Sequence, residues 1–256
     1  MATPVALRVF EGLARTYRKT WRGSVISSFL NPLLYLAALG FGLGGLVDRG
    51  EALGIDRYVS FLAPGLLAAT AMQAAAGEAS YPVMAGIKWL KTYHAALATP
   101  VGSKNLMNGH FLWIALRLTF TCVVFAVFSA LFGAVAPVPA LASVVPSVFT
   151  GMAFATPITA FTSRLENETG LATLFRFGVI PLFLFSGTFY PISQLPGWLL
   201  PAAYLSPLWH GVELTRSLSL QTATAWPPIL HILCLSAWLV AGLLISYRTF
   251  SQRMVK

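Results

Sequence analysis

Glu78 and Arg117 are ionisable residues set inside stretches otherwise suited to hydrocarbon. A charge at the centre of a membrane helix costs about 2.5–3.5 kcal/mol on insertion scales, so each is a functional candidate by default. The two stretches are joined by a single basic segment and would run antiparallel, which lets the charges meet. A structural ion pair is the first reading, ahead of snorkelling to the interface and of a part in substrate or proton passage. His210 and Glu213 lie three apart on one helical face, but two ligands without further His or Cys fall short of a zinc site, so interfacial hydrogen bonding is expected and no metal. Cys122 and Cys234 both lie in apolar runs and read as inert packing thiols. Asn167-Glu168-Thr169 matches a glycosylation acceptor, yet falls in a segment expected on the cytoplasmic side and carries no meaning there. The chain has no G-x-x-x-x-G-K-[ST] phosphate loop, no H-E-x-x-H and no G-x-S-x-G. No catalytic residue is therefore assigned, and ATP cannot be cradled here by a phosphate loop.

The elements that position these residues follow from composition. Of 256 residues, 57% are hydrophobic and only 10% charged, which excludes a water-soluble surface. A net charge of +9 would suggest nucleic acid in a soluble chain; in this one it points to a membrane with an uneven distribution of cations, and no nucleic-acid partner is expected. Six stretches reach the roughly 20 apolar residues that cross about 30 Å of hydrocarbon: 24–47, 58–81, 108–132, 140–163, 171–189 and 227–247. Backbone groups in lipid must be satisfied internally, so these are helices. Arg8, Arg15, Arg18, Lys19, Arg22, Lys88, Lys91, Lys104, Arg164, Arg176, Arg248, Arg253 and Lys256 fall on one side, against Arg49, Arg57 and Arg216 on the other. By the positive-inside rule both termini are cytoplasmic. The first stretch is about twice as long as the apolar core of a secretory signal and lacks a small-residue cleavage site, so it reads as an uncleaved anchor.

Three segments are not spans. Residues 5–22 place Ala6, Leu7, Phe10, Leu13, Ala14, Tyr17 and Trp21 on one face and Arg8, Glu11, Arg15, Arg18, Lys19 and Arg22 on the other, the pattern of an in-plane interfacial helix facing lipid headgroups or a cytoplasmic partner. The loop 83–106 far exceeds the 2–8 residues of a plain helix connection. Within it, 88–98 can form a short helix stopped by Thr99-Pro100, a lever or simply a solvated basic loop. Residues 190–226 lie outside and are divided by Pro191, Pro196, Pro201 and Pro207, with Tyr190, Trp198, Tyr204, Trp209 and Trp226 as interfacial aromatics. Ser206-Pro207 reads as an N-cap followed by proline at the first helical position, and the whole as a re-entrant pair of half-helices. Gly40 and Gly44 form a G-x-x-x-G, and 68–77 is rich in small residues, both signs of close helix approach. Pro32, Pro146, Pro157 and Pro181 are expected to kink their spans. Mid-membrane carboxylates and inverted repeats, the marks of many secondary transporters, are not seen.

Taken together, these residues resemble type-2 ABC exporter permeases. The resemblance rests on the basic N-terminal helix, Asn31-Pro32-Leu33-Leu34-Tyr35 leading to Gly40-Phe41-Gly42-Leu43-Gly44, and the stretch 58–72. It rests also on Leu97-Ala98-Thr99-Pro100, Ser186-Gly187-Thr188-Phe189-Tyr190-Pro191 through Leu195-Pro196, and Pro207-Leu208 with His210, Glu213 and Arg216. Within that group the chain is similar to the nodulation lipo-oligosaccharide exporter permeases and the daunorubicin-resistance permeases, over almost its whole length.

The resemblance implies an all-α integral membrane protein, one transmembrane domain over 1–256, with six spans, an N-terminal amphipathic interfacial helix and an outer re-entrant hairpin. It implies a bacterial inner-membrane half-transporter that forms a homodimer, or a heterodimer with a paralogous permease, and pairs with two copies of a separate ABC ATPase that binds ATP and Mg. The loop would carry the ATPase-coupling helix, with Lys88, Trp89, Lys91, Thr92, Tyr93, His94, Leu97, Thr99 and Pro100. Arg15, Arg18, Lys19, Trp21 and Arg22 of the interfacial helix would lie along the inner surface, on membrane lipids and near the ATPase. Phe189, Tyr190, Pro191, Trp198, Trp209, His210 and Glu213 of the hairpin would cap a path between subunits along spans one, two and five. The expected cargo is an amphipathic lipid-linked or glycolipid molecule; drug efflux and a non-transporting scaffold are the alternatives.

Overall fold

A computed structural model describes residues 5–44 and 57–254, without the side chains of 20–29, 31, 32, 41 and 43. Trp21, Arg22 and Pro32 as side chains, the first outer loop with Asp48, Arg49, Glu51 and Asp56, and Lys256 lie outside the described residues. Among the described residues all regular structure is helical: α1 Val5–Ala37, α2 Tyr58–Ala79, α3 Tyr81–Met84, α4 Thr92–Leu97, α5 Ser103–Leu131, α6 Pro137–Ala142, α7 Val144–Thr162, α8 Thr169–Leu174, α9 Ile180–Phe185, α10 Leu200–Leu205, α11 Pro207–Leu220 and α12 Pro228–Met254. Wider π-turns extend α1 over Ala38–Leu43, carry α3 on to Trp89, and join α8 to α9 over Phe175–Val179. The last precedes Pro181, which has no N–H to continue the regular ladder.

Four helical stretches are long and apolar enough to cross a membrane: Tyr58–Trp89, Ser103–Leu131, Pro137–Thr162 and Pro228–Met254. They match the second, third, fourth and sixth expected spans, with the second running eight residues further inward than expected. Thr169–Phe185 is apolar but shorter.

One expectation is corrected. Residues 5–22 do not end as a helix of their own; they are the first part of a 33-residue helix running on to Ala37. Gly23, the single breaker at that junction, is tolerated within a helix at a cost of about 1 kcal/mol. Part of the apolar stripe packs on α5: Phe10 and Tyr17 meet Trp113, with ring centroids 6.1 and 5.3 Å apart, while Leu7 stays exposed. Gly109 lets the backbone of α1 approach, since a methyl there would lie 2.7 Å from the Ala6 carbonyl oxygen. At its far end α1 meets α9 and α2, through Tyr35 on Phe183 and Gly40 against Val59.

The centre of the bundle is α7, packed between α2, α12 and α11. Lipid is as apolar as leucine, so helices in a membrane associate through close backbone approach and interhelical hydrogen bonds rather than by hiding apolar surface from water. Both devices are present. Gly151 of α7 abuts Ala71, Gly242 of α12 abuts Pro157, and Gly211 of α11 abuts Thr150. Thr162 Oγ1 donates to the Ala79 carbonyl at 3.0 Å, and Ser246 Oγ to that of Thr156 at 2.6 Å. Ser143 pairs with Ser219 at 2.6 Å and Ser147 with Thr215 at 3.2 Å, which fixes α11 antiparallel to α7.

The Gly211 contact makes a sharp prediction. A Cβ there would lie 2.0 Å from Thr150 Oγ1, whose hydroxyl is already held to the Pro146 carbonyl at 2.7 Å. Gly211→Ala gains about 1 kcal/mol of helix propensity but overpacks by about 1–3 kcal/mol, so it lowers the thermal midpoint in detergent. Adding Thr150→Ala removes the atoms at 2.0 and 2.5 Å but leaves its Cβ at 2.8 Å, so it restores part of the loss.

Candidate functional site

The loop 83–106 is built around one buried ring. After the π-turn ending at Trp89, Lys91 adopts φ 51°, a left-handed conformation that reverses the chain and lets Thr92–Leu97 form a separate short helix. The expected helix 88–98 is thus corrected at its start: Lys88 and Trp89 belong to the end of span two, and α4 begins at Thr92. Its end is as expected, with Thr99 Oγ1 closing on the Ala96 carbonyl at 2.6 Å before Pro100.

Tyr93 turns inward and is 6% exposed, while Trp89, Leu90, Lys91, Thr92, His94, Thr99 and Pro100 are exposed and Leu97 is half-buried. The Tyr93 ring lies on Gly86, where a Cβ would come within 2.7 Å of it, and meets Phe250 of α12 edge-on at 5.6 Å. Its hydroxyl lies 3.3 Å from His110 Nδ1 of α5. Burial, reinforced by the Glu78 carboxylate, pushes the phenol above its ordinary range, so it keeps its proton. Through Tyr93 the loop is thus tied to the end of span two, to α5 and to α12.

Beside it stands a clasp that sequence reading missed. Glu166, in the loop after α7, accepts from Lys88 Nζ at 2.8 Å and from the Arg253 guanidinium, and its carbonyl accepts from Lys88 Nζ at 2.6 Å. Three segments far apart in the chain are tied at one carboxylate. Hydrogen bonds from Arg253 and Lys88 pull the Glu166 carboxyl down to about 2. A lowered carboxylate contributes stability that is complete above its unfolded value near 4.5 and is lost as the pH falls through its folded value. The difference in thermal midpoint between wild type and Glu166→Gln should accordingly be constant from about pH 5 to 8 and shrink below about pH 4, which a pH series of melts in detergent measures.

Deeper in, Arg117 Nη2 lies 2.9 Å from Glu78 Oε1, with the two side chains 11% and 18% exposed. The guanidinium also stacks 4.2 Å over the Tyr17 ring of α1. Span two, span three and the N-terminal helix meet at this point. Arg15, Arg18 and Lys19 stand exposed along the same stretch of α1.

At the other end, Ser206 caps α11 by accepting from Leu208 N at 3.2 Å, with Pro207 following. Ser206 also meets Ser186 at 2.9 Å, seating the start of α11 against the end of α9. His210 does not pair with Glu213. Its Nδ1 faces His231 Nδ1 of α12 at 2.8 Å, and its Nε2 lies 3.0 Å from the Tyr204 carbonyl oxygen. Trp209, Tyr204 and Trp226 enclose this pair, with Trp209 fully buried and Trp198 open at 78%. Glu213 instead accepts from Ala225 N at 3.0 Å and pairs with Arg216 at 3.6 Å. Arg216 donates to the Gly187 carbonyl at 2.9 Å and stacks 3.8 Å over Phe61 of α2. Tyr58 donates to the Phe189 carbonyl at 2.9 Å, while Tyr190 and Pro191 are half-buried. Among the described residues no group of three or more His, Cys, Asp or Glu could hold a metal.

Known proteins match this sequence over most of the chain. The family model described as ABC-2 type transporter covers residues 9–220. The chain is 28% identical over 219 residues to Nodulation protein J of Rhizobium meliloti (strain 1021), covering 84% of this chain and 79% of that protein. It is 27% identical over 243 residues to Nodulation protein J of Rhizobium leguminosarum bv. viciae, covering 94% and 91%, and 26% identical over 242 residues to that of Neorhizobium galegae, covering 94% and 90%. With its membrane-length helices and a family match from α1 through α11, the chain belongs to the ABC-2 type transporters as a multi-pass membrane permease.

Proposed function

We propose that this permease exports an amphipathic, lipid-linked or glycolipid molecule, driven by ATP hydrolysis in a separate ABC ATPase. The observation that carries the division of labour is α4: a short helix projecting between spans two and three, exposed at Lys91, Thr92 and His94 and pinned from behind by Tyr93. A projection tied in this way transmits displacement rather than absorbing it. In this reading α4 docks on the ATPase, the Glu166 clasp makes spans two, four and six move with it, and both termini face the cytoplasm of a bacterial cell. Two permeases, identical or paralogous, and two ATPases complete the transporter.

The first and fifth spans, formed by α1 with its π-turn and by Thr169–Phe185, bring the number of crossings to six. The segment 190–226 forms a re-entrant hairpin. Support comes from the pairing of Gly211 with Thr150 and of Ser219 with Ser143, which sets the start of α11 well down the length of α7. Irregular backbone at such depth is tolerated where protein surrounds it, and the Ser186–Ser206 and Arg216–Gly187 bonds provide that. The similarity to Nodulation protein J supports an exported glycolipid as the cargo class.

The test is hydrolysis by the reconstituted permease and ATPase. Replacing Lys91, Thr92 and His94 together with alanine leaves the buried core intact and is expected to abolish stimulation by substrate. Full stimulation in that variant would refute the assignment of α4.

A further inference from the structure

A groove of about 450 Å³ runs between α1 and α5, walled by Tyr17, Arg18, Trp113, Leu116, Arg117 and Phe120. Its lining combines two chemistries. Leu116 and Phe120 are about half exposed on a membrane-length helix, so their side of the groove faces acyl chains. The lining also carries two guanidinium groups. That of Arg117 is already answered by Glu78 at 2.9 Å. Arg18 also lines the groove, is exposed and has no ion pair among the described residues; Lys19 stands exposed beside it, while Arg15 lies 3.9 Å from Glu11.

A cation presented on a lipid-facing surface recruits a counter-charge, and the anion within reach at the edge of a bilayer is a headgroup phosphate. A free phosphate would satisfy Arg18 but leave the apolar trough to be filled by something else. A neutral lipid would fill the trough but bring no net charge. We infer that this groove is a binding site for one anionic phospholipid, with its phosphate at Arg18 and one acyl chain along Leu116 and Phe120. The lipid would wedge against the Tyr17–Arg117 stack and so bear on the junction of α1, span two and span three. None of its lining residues belongs to α4, so lipid retention can be read whether or not α4 engages the ATPase.

The test is native mass spectrometry of the full chain in detergent, titrated with dioleoyl-phosphatidylglycerol or dioleoyl-phosphatidylcholine. One phosphatidylglycerol per chain should be retained about fivefold more tightly than phosphatidylcholine, the worth of one basic residue facing an anionic headgroup. R18Q, at an exposed position that leaves the Glu78–Arg117 pair untouched, should erase that preference, whereas K104Q, an exposed cation elsewhere, should retain it. L116W, which fills the trough without altering charge, should weaken retention of both lipids. Equal retention of the two lipids by wild type, or a preference that survives R18Q, would overturn the proposal. So would displacement of phosphatidylglycerol by an equal concentration of glycerol phosphate, which would mark a site for soluble phosphate esters.

Discussion

Arg117→Met is expected to destabilise this permease by about 3–5 kcal/mol, and adding Glu78→Gln to recover most of that loss. The pair is 2.9 Å long and largely enclosed, so the charges stabilise each other where water cannot. Removing the cation alone strands a carboxylate in a membrane helix; removing both leaves two neutral side chains with no charge to solvate. The stack of Arg117 on Tyr17 adds a smaller loss, because a cation held over an aromatic face contributes about 0.5–2 kcal/mol. Recovery in the double variant should therefore be incomplete by about that amount. Thermal unfolding of the wild type, the two single variants and the double variant gives the coupling energy directly, and a value near zero would reduce the pair to two independent charges snorkelling past one another.

Tyr93→Ala is the second large effect. The ring is enclosed by Gly86, Phe250 and His110, so truncation removes contacts with spans two, three and six at once. Loss of a buried aromatic costs about 3–5 kcal/mol. Tyr93→Phe keeps the ring and sacrifices the 3.3 Å contact with the buried His110, so it should cost less than the alanine variant, about 1–3 kcal/mol. The functional consequence separates the two variants more sharply than their melts do. With alanine, α4 loses its pin and substrate-stimulated hydrolysis should collapse even at temperatures where the protein remains folded; with phenylalanine it should persist.

Much of this architecture was legible from residues alone. Runs of apolar side chains near 20 residues long located four membrane-length helices, because in lipid that length has one structural solution. The N-cap at Ser206 and the stop at Thr99-Pro100 were local signals of turn chemistry, and both hold. What failed did so because periodicity reveals that a face is apolar and not what covers it. The stripe on 5–22 suits an interface equally well, yet part of it packs on Trp113 and it continues into the next helix. The left-handed turn at Lys91 had no glycine or asparagine to announce it, so the start of α4 was set too early. Glu166 met Lys88 and Arg253 across separations of 78 and 87 residues, and His210 met His231 rather than Glu213. Such pairings are created by packing, and their only trace in the sequence was a carboxylate among cations.

Coupling in the proposed transporter requires α4 to be the surface that the ATPase engages. With Cys122 and Cys234 replaced by alanine, a single cysteine at His94 should cross-link to the ATPase subunit in membranes, with a yield that changes between nucleotide-free and ATP-bound states. A cysteine at Val138, exposed at the opposite end of the bundle, should give no such product. If the ATPase copurifies with the permease yet the His94 position yields no cross-link, or the Val138 position cross-links equally well, the assignment of α4 is contradicted.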